Sequence, residues 1–322
     1  MNPEEVRTKF ENCHVWYSII FNCERENEAE PWLVFEGLDC FAEVYINGRH
    51  AASFGNMLVE RRVCVREYLE DGDNEVFMHI RPAVIEAKKY PYAQSQYTHL
   101  LSYEALYVRK AHHMYGWDIM PRFVSAGVYR PAYIEWIPPE HIKELYLKTL
   151  STDNDKAELD LYYHLDINLS GAYTLLLKME CEDRAFEIRK RVFFDVGHIT
   201  FTLEEALLWH SKGKGEPNLY NVSVTLIKDG AELDKRIFSH GVRTVELKRT
   251  ALTTPEGEGE FVFIVNGEKV FCKGSNWVPA DAFHSRDRER IPKILDMAND
   301  LNCNMLRCWG GNVYEDELFY DI

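Results

Sequence analysis

The chain has 322 residues, 46% of them hydrophobic and 28% charged, with 37 Lys+Arg against 52 Asp+Glu for a formal charge of −15. That length exceeds what one core usually fills, so two domains, or two and part of a third, are expected of an otherwise ordinary globular composition. The negative field argues against nucleic acid and anionic membrane partners; no apolar run approaches the roughly 18–20 residues that cross a bilayer, and the first thirty residues hold no secretion signal, which points to the cytoplasm.

From Val15 onward, apolar residues recur with a period near two, the mark of strands. Trp16–Asn22 (WYSIIFN), Trp32–Leu38 (WLVFEGL) and Ala42–Ile46 (AEVYI) are the first runs. Asn47-Gly48 supplies the two-residue signal of a type I′ hairpin, with Arg49–Phe54 returning. Asp71-Gly72-Asp73-Asn74 is a further turn before Glu75–Arg81. Pro82 to Tyr115 reads as a helical or irregular connection, too rich in Tyr and His for disorder, and a candidate wall of a binding cleft.

Pro138-Pro139 is the best linker, because neither residue can donate to a ladder. A second group of strands follows at Ile142–Leu150, Ala157–Leu165, Tyr173–Glu180 and Asn221–Ile227, with the spacing of an immunoglobulin-like sandwich. After Arg243 the pattern changes. A hairpin is expected around Asn266-Gly267, then a helix from near Ser285 or Asp287 with Ile291, Ile294, Leu295, Ala298 and Leu301 on one face and Pro292 in about its first turn. A strand at Asn304–Trp309 and a helix start at Tyr314–Ile322 complete a strand-helix-strand-helix order, which is how an α/β barrel begins.

The eight cysteines include no C-x-x-C pair and read as buried thiols. His112-His113, with His99 nearby, is not read as a metal site, since adjacent histidines in a strand point to opposite faces. Glu315-Asp316-Glu317 reads as the acidic opening turn of a helix, where negative charge complements the dipole.

Three segments resemble the β-mannosidase branch of glycoside hydrolase family 2: Arg109–Arg130 (RKAHHMYGWDIMPRFVSAGVYR), the block ending in Gly241–Leu247 (GVRTVEL), and Phe271–Asp321 with its KGSNWVPAD, NMLRCWGG and YEDELFYD strings. They occur in family order and span nearly the whole chain. The resemblance implies a mainly β chain: a galactose-binding-like jelly roll over 1–138, an immunoglobulin-like β-sandwich over 139–249, and the first βα units of an incomplete (β/α)8 TIM barrel over 250–322. It further implies part of a retaining exo-β-glycosidase of carbohydrate catabolism that removes terminal β-linked sugars, with carbohydrate as its partner and neither cofactor nor metal. Such enzymes use two glutamates about 5–5.5 Å apart. The resemblance places both beyond Ile322, so the chain alone is expected to be inactive, and it also implies sequence ahead of Met1.

In the family the Trp117-Asp118 pair holds the terminal sugar, and an ionised carboxylate suits that task because it accepts strong bonds from hydroxyls. Arg307 and Trp309 fall at the C-terminal end of the second predicted barrel strand, and Asn276 and Trp277 follow the first, where barrel enzymes place their sites. Arg307 would bond hydroxyls or orient a carboxylate through its planar fork, and Trp309 would stack on a sugar face. The chain has Ile119-Met120 where β-mannosidases continue with Trp-Gly. A β-galactosidase or β-glucuronidase type therefore stands as an alternative, as does a non-catalytic carbohydrate-binding sandwich.

Overall fold

A computed structural model of the chain describes residues 5, 9–24, 28–93, 95–96, 98, 102–153, 155–168, 170–251, 253, 255, 257 and 259–322. The chain forms two compact units, one of Met1–Ile137, Asn276–Asp300 and Leu306–Ile322, the other of Pro138–Ser275 and Leu301–Met305. No helix among the described residues is long and apolar enough to cross a membrane.

The first unit is a β-sandwich built from β1 (Val15–Cys23), β2 (Glu30–Phe35), β3 (Leu38–Asp39), β4 (Phe41–Ile46), β5 (Arg49–Gly55), β6 (Arg61–Cys64), β7 (Gly72–Arg81), β8 (Gly127–Val128) and β9 (Ala132–Ile137). They form sheets in the orders β1-β7-β4-β5, β6-β2-β9 and β3-β8, all antiparallel. Strict alternation along β4 and β7 turns every second side chain inward. Ala42, Val44, Ile46, Val76, Met78 and Ile80 thereby meet Leu33, Phe35 and Leu38 in one core, where each large apolar side chain stabilises the fold by roughly 1.5–3 kcal/mol. At the β4–β5 turn Asn47 and Gly48 have φ of 50° and 76°, the positive pair that a type I′ hairpin requires.

The connection after β7 contains helix α1 (Ala83–Ala87) and 3-10 turns at Tyr103–Leu106 and His112–Tyr115; His99 lies outside the described residues. His112 and His113 are therefore not in a strand. The short turn leaves His112 in solvent and buries His113 completely. Beneath it, Lys110 pairs with Asp39, and both are almost wholly enclosed. The Lys110 ammonium also donates to the Ser125 carbonyl at 2.8 Å, and the Ser125 hydroxyl donates to the Asp39 carboxylate at 2.8 Å.

The second unit holds β10 (His141–Asp153), β11 (Lys156–Asp166), β12 (Tyr173–Cys181), β13 (Arg184–Val192), β14 (Val196–Leu203), β15 (Tyr220–Lys228) and β16 (Ala231–His240). Sheets β10-β11-β14 and β13-β12-β15-β16 close over a core that includes Leu159, Leu161, Leu175, Leu177, Val222, Val224 and Leu226. A smaller antiparallel sheet joins β17 (Val245–Arg249), β18 (Phe261–Val265) and β19 (Glu268–Val270).

The remaining elements are β20 (Gly274–Trp277), α2 (Asp287–Asp300), β21 (Met305–Cys308) and α3 (Glu317–Asp321), with β20 paired to β21. Asn304 N donates to Lys273 O at 2.8 Å and Trp309 N to Trp277 O at 2.9 Å, so the bonds advance together along both segments, as in a parallel pair. Several expectations need correcting here. Pro292 lies in the body of α2 rather than in its opening turn; the ring forfeits one bond, to the Arg288 carbonyl, close enough to the helix start to be borne. Ile291 is buried, but Leu301 falls past the helix end and is 77% exposed. The last helix begins at Glu317 with Asp316 as its cap. Glu315 precedes it and is buried, so it is not a solvated first-turn acid. Of the cysteines, only Cys40 and Cys181 are buried, whereas Cys13, Cys272 and Cys308 are exposed; those three sit on connections or at strand ends, where neighbouring chain does not cover them.

Candidate functional site

The six residues singled out from sequence all lie in the first compact unit. Trp117 starts a tight turn in which its N–H donates to Met120 O at 3.0 Å and Met120 N returns to Trp117 O at 3.3 Å. Gly116, with φ of +93°, feeds the chain into that turn, where a Cβ would be strained. The turn projects Asp118 and Ile119 into solvent and leaves Trp117 half-buried. Its indole lies 5.4 Å from that of Trp309, centroid to centroid, with the planes tilted by 48°.

Trp309 is anchored by its bond to the end of β20 and by a glycine floor. A Cβ on Gly311 would stand 2.2 Å from the Trp309 ring, and the Gly311 carbonyl accepts from His113 N at 3.1 Å. Arg307 and Asn276, both exposed, meet across β21 and β20 with Nη1 donating to Oδ1 at 3.4 Å. The structure therefore brings Trp117 to Trp309 and Arg307 to Asn276. Trp277 is different: it is 4% exposed, its ring packs on Phe319 at 4.8 Å, and its indole N–H donates to Glu315 Oε1 at 2.8 Å. No ligand face can reach that ring. Trp277 acts through what it holds in place.

A direct prediction follows from the glycine floor. Gly311→Ala should push the Trp309 ring aside and cost about 1–3 kcal/mol, the usual range for overpacking, whereas Gly310→Ala, which meets nothing within 4 Å, should be silent. Near-UV circular dichroism reads the coupled indoles, and an unchanged Gly311→Ala spectrum would show that the ring is not seated on the glycine.

Sequence reading missed a buried polar cluster beside this face. Asn312 Nδ2 joins Trp277 in donating to Glu315 Oε1, at 2.8 Å, so one carboxylate ties the end of β20 to the loop after β21. Burial, reinforced by the nearby Asp287, raises the Glu315 carboxyl above its ordinary range. His284 Nδ1 lies 2.6 Å from Asp287 Oδ2, and the Nε2 atoms of His284 and His113 are 2.9 Å apart. Burial first, then His284 and Lys110, hold the His113 imidazole down at about 3, so it is neutral at physiological pH. His284 and Asp287 share a signal in their i, i+3 spacing at a helix start, but the partners Glu315 and His113 come from distant sequence.

A cleft of about 760 Å³ is lined by Tyr17, Asp39, Phe123, Tyr129 and His284 among others and contains none of the six residues. Trp117 lines a smaller hollow of about 170 Å³ with Ser102, Leu106 and His112. Outside that hollow, the Trp117 indole meets Trp309, Asp118 follows on the same turn, and Arg307 and Asn276 stand on β21 and β20, so two indoles, a carboxylate, a guanidinium and an amide are presented by this unit. Such groups can stack on and hydrogen-bond a flat polyhydroxylated ligand. Among the described residues, no group of three or more His, Cys, Asp or Glu is placed to hold a metal ion.

Residues 1–130 match the family model described as glycosyl hydrolase 2 galactose-binding domain-like, and residues 140–243 the model described as glycosyl hydrolases family 2. A β-mannosidase B from Aspergillus fumigatus is 31% identical over 299 residues, and one from Neosartorya fischeri is 32% identical over 299. Each alignment takes in 90% of this chain, which spans 35% of the length of those relatives. Among solved structures, a β-D-mannosidase from Dictyoglomus thermophilum matches with a TM-score of 0.87 and 28% identity, over 99% of this chain and 40% of its own. A β-glycosidase from Bacteroides vulgatus matches at 0.67 and 18% identity, over 96% of this chain and 34% of its own, a likeness of fold.

Proposed function

Because this chain belongs to glycoside hydrolase family 2 and is β-mannosidase-like over most of its length, we propose that the protein removes terminal β-linked mannose from oligosaccharides by a retaining mechanism. In this reading, residues 1–138 are a jelly roll, 139–249 an immunoglobulin-like sandwich, and 250–322 the opening βα units of a (β/α)8 barrel. The parallel advance of bonds from Lys273/Asn304 to Trp277/Trp309, with α2 between, supports the last assignment.

The observation that carries the reading is the meeting of Trp117, from the first sandwich, with Trp309, from the end of β21, at 5.4 Å. Between them these residues offer ring faces to a pyranose; Asp118 accepts from its hydroxyls, and Arg307 and Asn276 donate to them. Trp277 and Glu315 position that set from below. Retaining hydrolysis also needs an acid/base and a nucleophile about 5–5.5 Å apart, and the reading assigns neither role to a glutamate of this chain. Substrate binding is its assigned task, and no organic cofactor is called for.

Assays of the 322-residue chain and of a protein extended by the family's catalytic region, against aryl β-mannoside, β-galactoside and β-glucuronide, test this. Turnover is expected only from the extended protein and foremost on the mannoside. In that protein, Trp117→Ala should lower kcat/KM by about 10–100-fold, the equivalent of roughly 1.4–2.8 kcal/mol of transition-state binding. Sustained turnover by the 322-residue chain would show that the chemistry had been placed wrongly. A preference for galactoside or glucuronide would move the protein to another branch, the outcome that Ile119-Met120 keeps open.

A further inference from the structure

The sheet β1-β7-β4-β5 turns a second set of rings away from its core. Cross-strand register places Trp16, His79, Glu43 and Ser53 in one row, and Ser18, Phe77, Tyr45 and His50 in the next. Trp16 stacks on His79 at 3.8 Å with planes 7° apart and lies 5.4 Å from Phe77. Phe77 in turn lies 6.2 Å from Tyr45, and Tyr45 lies 5.2 Å from His50. The aromatic row runs across four strands, about 14 Å at the usual strand spacing. Trp16 stands on the edge strand and is 56% exposed, and Ile20, four residues further along that strand, is 71% exposed.

Polar groups are interleaved with these rings and already fixed. The Glu43 carboxylate lies 2.9 Å from His50 Nε2, accepts from the Ser53 hydroxyl, and pairs with Arg81 at 3.1 Å. His14 Nδ1 lies 2.6 Å from His79 Nε2. None of these side chains belongs to the sandwich core or to the Trp117–Trp309 face.

We propose that this face is a second, non-catalytic carbohydrate site, which holds a stretch of β-linked oligosaccharide away from the residues that bind its terminal sugar. The choice of a mannan chain as occupant rests on the function proposed above. The mixture of groups favours a glycan over a second copy of this chain. Protein interfaces are depleted of charge at their centres, and closing one over Glu43, Arg81 and Glu75 would strip water from those ions. Sugar hydroxyls keep those groups hydrogen-bonded, and the C–H faces of the sugar cover the rings.

The test is affinity electrophoresis of the 322-residue chain through gels containing soluble galactomannan, with fluorescence titration by β-1,4-mannohexaose. The wild-type chain should be retarded. Trp16→Ala and Glu43→Gln, both near the surface and expected to fold, should each bind at least fivefold more weakly, and Trp117→Ala should keep most of the retardation. Equal migration of wild type and Trp16→Ala, or the absence of retardation altogether, overturns the proposal. Complete loss in Trp117→Ala does so too, because all binding would then belong to one site. A dimer in light scattering that Trp16→Ala converts to monomer would instead make the face a chain–chain interface. Hydrolysis by the extended protein is read separately, so a failed mannosidase assay beside Trp16-dependent retardation would defeat the family reading and leave this site standing.

Discussion

Lys110→Ala is expected to destabilise the first compact unit by about 3–5 kcal/mol, the range for removing one partner of a buried ion pair. The side chain is fully enclosed, its ammonium engages Asp39 and the Ser125 carbonyl, and the Asp39 carboxylate is equally enclosed. Without Lys110, Asp39 keeps the Ser125 hydroxyl but loses its countercharge, in a setting where burial, followed by Asp39 itself, already pushes the Cys40 thiol up to about 12. Urea unfolding followed by tryptophan fluorescence measures the effect on the correct unit, since six of the seven tryptophans belong to it. Lys110→Met combined with Asp39→Leu should recover a large part of the loss, because both charges then disappear together. A Lys110→Ala midpoint corresponding to less than about 1 kcal/mol would mean that water reaches Asp39.

The features legible in the sequence were those written in local chemistry. Asn47-Gly48 and Asn266-Gly267 dictate their turns through positive φ, at 50° and 76° and at 50° and 78°, and the strands with strict apolar alternation were found wherever both neighbours cover them. β13 and β16 escaped because most of their side chains face solvent, as the runs RAFEIRKRV and AELDKRIFSH show, which leaves too few inward positions to reveal a period. Glu315 was misassigned for a related reason: the run Glu315-Asp316-Glu317 suggested the acidic opening turn of a helix, and only the fold supplies Trp277 Nε1 and Asn312 Nδ2. Within the candidate site, sequence proposed both indoles, but their separation depends on a turn and a strand end nearly two hundred residues apart, which no local rule relates. Trp277 shows the converse limit, since a tryptophan after a strand has the same signature whether its ring lies open or, as here, enclosed.

Acid should destabilise the first unit through His113. Its imidazole titrates at about 3 in the folded chain, against an ordinary value of 6.5, because burial and then the neighbouring His284 and Lys110 disfavour its charged form. Below pH 6.5 the unfolded chain takes up this proton before the folded one. The contribution is therefore complete above that pH and is lost as the pH falls toward the folded value, at about 1.4 kcal/mol per unit. Over the whole window this amounts to about 5 kcal/mol. His113→Gln removes the titration, so its stability, measured by urea unfolding at pH 7, 5.5 and 4.5, should fall less steeply than that of the wild type by about that slope. The same difference should shrink in a Lys110→Met background, where one of the charges that holds the imidazole neutral is gone. Parallel slopes for wild type and His113→Gln would sink the argument, since the 2.9 Å contact with His284 would then have to be made by an imidazole that is already protonated or reached by solvent.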